Sequence, residues 1–203
     1  MIRRRVFGRW VVTSCILVVL VVVCELVVSY LVHHVERIPA PVMPLFRKFT
    51  EEYDRNIIQY MPQCARYDPE VTYTLRPGTW RFSNDDFDTE YRVNSLGMRD
   101  DEISLQAPPI VVLGDSFAMG WGVEQHETFA DILERKTSVR VLNAGISSYA
   151  TVRELKILSR TDRSRLRSVV LQYCDNDLQE NQAFCTNGNV LAISSQARYE
   201  QIC

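Results

Sequence analysis

Residues 110–122, IVVLGDSFAMGWG, constrain this 203-residue chain more than any other stretch. Four apolar residues, mostly β-branched, run straight into Gly114-Asp115-Ser116 and a glycine-containing loop, and an amphipathic segment from Glu127 to Arg135 follows. This pattern predicts a buried strand, a tight turn and a helix. It holds the Ser116 hydroxyl at the carboxyl end of the strand, where open α/β sheets gather their chemistry. Gly114 permits the turn, and Gly120 and Gly122 allow close approach of backbone or ligand. A serine so placed is a candidate nucleophile; the competing account is that Ser116 or Asp115 simply caps the helix.

Two further blocks fit the same architecture. Val139 to Leu142 (VRVL) predicts a second strand running into Asn143-Ala144-Gly145, and Ser168 to Tyr173 (SVVLQY) a third running into Cys174-Asp175-Asn176-Asp177. Between them Thr151 to Arg160 places Val152, Leu155 and Leu158 at helical spacing. Strand–helix–strand–helix–strand implies a parallel sheet with right-handed crossovers, so that all three strand ends meet on one edge.

The three blocks, GDSFAMGWG, NAG and the Asn-Asp of CDND, together resemble the SGNH (GDSL-type) hydrolases from about Asn94 to Asn181. YRVNSLGMR, a dozen or so residues before the first block, fits exported members. The resemblance implies a three-layer α/β/α flavodoxin-like domain that hydrolyses or transfers acyl esters without a cofactor. Position by position, Ser116 matches the nucleophile and Asp115 its neighbour in the first block. The backbone N–H of Ser116, the backbone N–H of Gly145 and the side-chain amide of Asn176 match the oxyanion-hole donors. Those residue types suit the chemistry, because each preorganised donor aimed at a developing oxyanion contributes about 3–4 kcal/mol. The alternative for Asn143 and Asn176 is that they satisfy loop backbone after the strands.

The chain departs from the family in two places. Cys174 stands where the third block usually has glycine, and no Asp-x-x-His, the family's late general-base segment, occurs. The histidines are His33, His34 and His126; the first two end the apolar N-terminal run, and His126 precedes a helix start. A neutral serine is a poor nucleophile without a positioned base. The family sheet has about five strands, whereas this sequence shows three, with one further short strand expected at Val190 to Ile193 and an apolar strand edge left open. A shortened member whose base lies beyond Cys203 is therefore expected, with a degenerate, non-catalytic domain as the competing account.

The chain begins with a second strong signal. Trp10 to Val32 is nearly unbroken apolar sequence, interrupted by Glu25. At about 1.5 Å per residue it reaches roughly 35 Å, enough to cross a bilayer. Arg3, Arg4, Arg5 and Arg9 precede it, which orients the basic flank to the cytoplasm and the remainder outward. A cleaved signal peptide is disfavoured by the length of the run and the lack of an Ala-x-Ala site.

Five segments follow: a basic flank 1–9, a membrane span 10–32, a linker with a short amphipathic helix 33–66, a small β-rich region 67–108, and the hydrolase-like domain 109–203. In the fourth, Pro77-Gly78 marks a turn between aromatic-rich alternating runs. Tyr73, Trp80, Phe82 and Tyr91 either line a sugar platform or, the favoured account, pack this small sheet. Asn84 to Asp88 reads as a solvated turn, with calcium binding the weaker alternative. Cys64, Cys174, Cys185 and Cys203 allow three disulfide pairings, and no zinc pattern exists. At 24% charged residues and net −2, no basic face suits nucleic acid. The expected partners are the membrane and an acyl-ester substrate such as an acetylated glycan or a lipid. The competing function is that of a catalytically silent SGNH-like module that binds glycans or serves envelope assembly.

Overall fold

The computed structural model describes the backbone of residues 2–33, residue 41, and residues 57–203 apart from residue 85. Side chains in the first segment are described from 13 to 31. Residues 1–54 and 55–203 form two compact units.

In the first unit, α1 (Ile2–His33) is one continuous helix. Its stretch Thr13–Leu31, 19 residues with mean hydropathy 2.7, is long and apolar enough to cross a membrane. Its side chains, including Leu17, Leu20 and Leu26, are exposed. An apolar surface all round a helix is what lipid tolerates and water does not. The amphipathic helix expected over residues 49–61 falls largely outside the described residues; Ile58–Tyr60 form a single 3₁₀ turn.

The second unit opens with two hairpins. β1 (Ala65–Asp68) pairs antiparallel with β2 (Thr72–Leu75), and β3 (Gly78–Ser83) with β4 (Asp88–Val93). Pro77-Gly78, expected to turn a hairpin, instead joins β2 to β3, which lie in separate two-stranded sheets. The true hairpin turns are set by side chains. Asp68 Oδ1 accepts from the N–H of Glu70 and Val71, and Asn84 Oδ1 from those of Asp86 and Phe87. These are Asx turns, which tie the chain back on itself without glycine.

Next come β5 (Ile110–Leu113), the helical turn α2 (Ser116–Met119), α3 (Phe129–Thr137), β6 (Val141–Asn143), α4 (Thr151–Ser159), β7 (Ser168–Leu171), α5 (Asp177–Thr186) and α6 (Gln196–Ile202). β5 lies between β6 and β7 and runs parallel to both. The molecule is thus mixed α/β with a three-stranded parallel sheet. Alternate β5 side chains serve opposite faces. Val111 and Leu113 join Ile157 of α4, Leu142 and Tyr149 in one core, while Val112 joins Ala130 of α3 and Ala118 in another. A strand buried on both faces is what the run IVVL requires. β7 is an edge strand with Val169 and Leu171 still 43% and 45% exposed.

The strand expected at Val190 to Ile193 does not form; that stretch is irregular backbone leading into α6. It is shaped by tertiary bonds instead: the Ala192 carbonyl accepts from Arg153 Nη2, and the Ser194 N–H donates to Thr72 Oγ1.

The first hairpin packs on the parallel sheet and the second on α2. Val71, Tyr73 and Met98 belong to the same core as Val111 and Leu142, while Phe82 and Tyr91 belong to another with Met119. Tyr73, Phe82 and Tyr91 are buried and Trp80 stacks on Tyr91 at 5.0 Å, so these aromatics are packing residues and not an open platform. All six cysteines are free thiols. Burial pushes the Cys64 thiol up to about 11.

An ion pair ties β1 to the end of α4. The Arg160 guanidinium donates to both Asp68 oxygens, at 2.7 and 2.8 Å, and to Glu70 at 2.6 Å. Burial alone raises the Asp68 carboxyl, but Arg160 and the Glu70 and Val71 N–H groups outweigh it and hold the carboxyl below its ordinary value. A depressed carboxyl stabilises the fold above its unfolded value of 3.8 and loses that contribution as pH falls through the lower folded value. We expect Arg160→Ala to cost about 1–2 kcal/mol at neutral pH, partly buried bidentate pairs being worth more than surface ones. The deficit, measured by denaturant melts across pH, shrinks below pH 4.

Candidate active site

The loops after the three parallel strands meet. The Ala144 N–H donates to the Val112 carbonyl and the Ile146 N–H to the Gly114 carbonyl, at 2.8 and 3.0 Å. These bonds carry the strand pairing of β5 and β6 on into their loops. From the other side, Gln172, one residue past β7, reaches over the start of α2. Its Oε1 accepts from the N–H of Asp115 and of Ala118, both at 3.2 Å. The Ser116 turn is thereby clamped between its two neighbours.

Ser116 is the first residue of α2, and Asp115 is its N-cap, Oδ1 accepting from the Phe117 N–H at 2.9 Å. Asp115 is 2% exposed whereas Ser116 is half-buried, so the carboxylate is structural and the hydroxyl is the group that reaches solvent. Among the described residues neither the hydroxyl nor the N–H of Ser116 makes a hydrogen bond. Gly114, with φ of 151°, makes the turn; a Cβ there would fall 2.6 Å from Gln172 Oε1.

Gly145 lies against α2. A Cβ at that position would fall 2.5 Å from the Met119 nitrogen and 2.7 Å from the Ala118 carbonyl carbon, so only glycine lets the second loop sit this close. Its N–H, expected as an oxyanion donor, donates to Asn143 Oδ1 at 3.1 Å. Asn143 therefore braces its own loop. Asp100, which sequence reasoning did not single out, holds the same residue from outside. Asp100 Oδ2 accepts from the Asn143 N–H at 2.8 Å, and Oδ1 from Ser104 and the Asp101 N–H. Burial lifts the Asp100 carboxyl to about 6 against those three bonds.

Asn176 is exposed at the N-cap of α5 and its side chain makes no capping bond. The next residue anchors the turn: Asp177 is 1% exposed and Oδ2 accepts from the Cys174 N–H at 3.1 Å. Burial raises the Asp177 carboxyl, the Cys174 bond lowers it, and the Asp115 charge raises it further, which sets Asp177 and Asp115 as electrostatic neighbours. His126 stands exposed in the 3₁₀ turn Gln125–Glu127. Its carbonyl accepts from Arg135, and the Glu124–Glu127 capping box accounts for the turn. His33 lies in α1, and His34 lies outside the described residues.

Chemically, the arrangement offers one accessible hydroxyl, one free N–H at a helix start and one unengaged carboxamide on loops from adjacent strands. Among the described residues no group of three or more His, Cys, Asp or Glu is placed to hold a metal ion. No protein-family model and no curated protein matches the chain.

Proposed function

We propose that this chain is a membrane-anchored serine ester hydrolase or acyl transferase of SGNH type, acting on acyl esters of envelope glycans or lipids. The observation that carries the reading is the half-buried Ser116 hydroxyl, at the carboxyl end of the central parallel strand and clamped by loops from both neighbouring strands. The order second–first–third matches the flavodoxin-like doubly wound arrangement, whose ligands bind beside the first and third strands. Ser116 and Asn176 follow those two strands.

In this reading Ser116 Oγ attacks the ester carbonyl carbon. The Ser116 N–H and the Asn176 amide then donate to the oxygen that becomes negative. Gly145 supplies clearance, and its N–H is a third donor only if shared between Asn143 and the substrate. The Asp115 carboxylate holds the turn and is not the base, since its Oδ1 already accepts from Phe117. The proton of Ser116 leaves to a base outside the residues assigned here. The basic flank Arg3, Arg4, Arg5 and Arg9 orients the catalytic unit away from the cytoplasm, into a bacterial periplasm.

A catalytically silent module of the same fold, binding glycans or aiding envelope assembly, is favoured by the engaged Gly145 N–H. Fluorophosphonate labelling of the full chain in detergent separates the two. The hydrolase reading expects covalent capture that maps to Ser116 and disappears in Ser116→Ala. Equal labelling of both proteins, or none of either, overturns it and leaves the binding module.

A further inference from the structure

β7 is the open side of the parallel sheet. The other edge strand, β6, is three residues long and buried at each of them. By contrast Val169 and Leu171 of β7, and Tyr173 just beyond it, are 43%, 45% and 52% exposed. Val169 and Leu171 are in register with Val111 and Leu113 of β5, whose side chains enter the core shared with Ile157 of α4. Val170 between them turns to the opposite core, with Ala130 of α3. Tyr173, two residues on, continues the alternation and completes an apolar stripe on one face. The backbone alternates in the same way. The Ser168 and Gln172 N–H groups donate inward, to the Pro109 and Leu113 carbonyls at 3.1 and 2.9 Å. The N–H and C=O groups of Val169, Leu171 and Tyr173 therefore point away from β5. Among the described residues no strand pairs with that side. An exposed apolar edge of this kind is a template for another strand.

Charge identifies the strand that fits. Arg167 precedes the stripe and Asp175 follows it; both are exposed, and neither makes an ion pair among the described residues. The edge is basic at one end and acidic at the other, so its complement is the same edge turned end for end. We propose that two copies of this chain associate through β7, antiparallel about a twofold axis at Leu171, joining their parallel sheets into one. Several twofold registers oppose the outward-facing residues. The one centred on Leu171 sets Leu171 against the partner's Leu171 and Val169 against the partner's Tyr173, and brings Arg167 to the partner's Asp175. Centring on Val170 instead leaves Tyr173 against the partner's Arg167. Cross-strand apolar pairs and opposite charges are the contacts that stabilise such a ladder. The contact is isologous, so each open edge is consumed by the other and assembly stops at two. It does not rest on the hydrolase reading, since none of these residues belongs to the Ser116 site.

The experiment takes the full chain in detergent and reads its protein mass by light scattering, with the detergent contribution subtracted, over micromolar concentrations. Wild-type protein is expected as a dimer. Leu171→Lys places a charge on the edge at a half-exposed position, so it is expected as a monomer that still melts cooperatively. Arg167→Glu turns two attractions into repulsions and weakens the dimer about tenfold, and adding Asp175→Arg restores it. Leu171→Cys, oxidised with diamide, forms a covalent dimer whose cross-linked peptide maps to residue 171 of both chains. Directly opposed hydrogen-bonded residues stand about 5.5 Å apart at Cα, within disulfide reach. A wild-type monomer overturns the proposal. So does a dimer that Leu171→Lys leaves intact, which is what association through α1 gives, and so does a charge-reversed pair that fails to recover.

Discussion

Gly145→Ala is expected to destabilise the 55–203 unit by about 3 kcal/mol or more, a loss read as a lower denaturant midpoint with unchanged slope. The added methyl would fall 2.5 and 2.7 Å from backbone atoms of Met119 and Ala118, and 2.8 Å from the Ala118 Cβ. Backbone cannot rotate away as a lysine tip can, so either α2 or the 143–147 loop must move. Overpacking a well-filled site costs about 1–3 kcal/mol when side chains absorb it, and here the clash is with main chain. The displacement also separates Ser116 from the second loop, so fluorophosphonate capture at Ser116 should fall together with stability. A variant as stable as wild type would show that the loop and α2 are not in contact as described.

Arg99→Ala is expected to cost about 3–5 kcal/mol, measured in the same way. Arg99 is 0% exposed and makes no ion pair among the described residues; carbonyls take the place of water around it. Nη1 donates to the Met119 carbonyl at 3.4 Å and to that of Gly120, and Nη2 to those of Glu90 and Val123 at 3.0 and 2.7 Å. Its guanidinium also lies 3.9 Å from the centre of the Tyr91 ring. Desolvation lowers the guanidinium, and Tyr91 and Glu124 oppose it, yet it stays cationic at any working pH. Truncation takes the guanidinium donor from four carbonyls, those of Met119 and Gly120 keeping only long second bonds from Asn143 Nδ2 and the Val123 N–H, both at 3.5 Å; each buried acceptor left unpaired costs about 1–3 kcal/mol before water enters, and a large volume empties behind the loop following α2. Arg99→Lys retains the charge but not the fork, so it should recover less than half of the loss.

Both residues show how local pattern and tertiary contact divide the information. The strand Ile110–Leu113 and helix Thr151–Ser159 were readable because hydrophobic runs and helical spacing are local properties. Which face of that helix is buried was not. The spacing of Val152, Leu155 and Leu158 suggested an apolar stripe, yet Leu155 is 53% exposed and the buried positions are Arg153, Glu154 and Ile157. Arg153 is held there by partners distant in the chain, Glu180 and the Val71 carbonyl, and no periodicity encodes a partner. The helix Asp177–Thr186 escaped notice for a related reason, since DLQENQAFCT has no apolar stripe and its buried residue is Asp177. Gln172 carried a faint signal as the lone polar residue at the end of SVVLQY, but its clamp on α2 depends on the pairing of β7 with β5.

From its residues alone the chain declared an apolar helix long enough for a bilayer, a parallel α/β sheet, and the placing of Ser116, Gly145 and Asn176 in loops after three successive strands. These follow from composition, period and turn chemistry, which act over a few residues. Only the folded arrangement decided that β5 lies between the other two strands, that the Gly145 N–H turns to Asn143, and that Arg99, Asp100 and Glu154 lie buried around the site. Burial and hydrogen-bond partnership are properties of groups brought together from far apart in the chain. A buried carboxyl such as that of Asp100 is pushed above its ordinary value by what surrounds it in space, and that environment is written nowhere in its own segment.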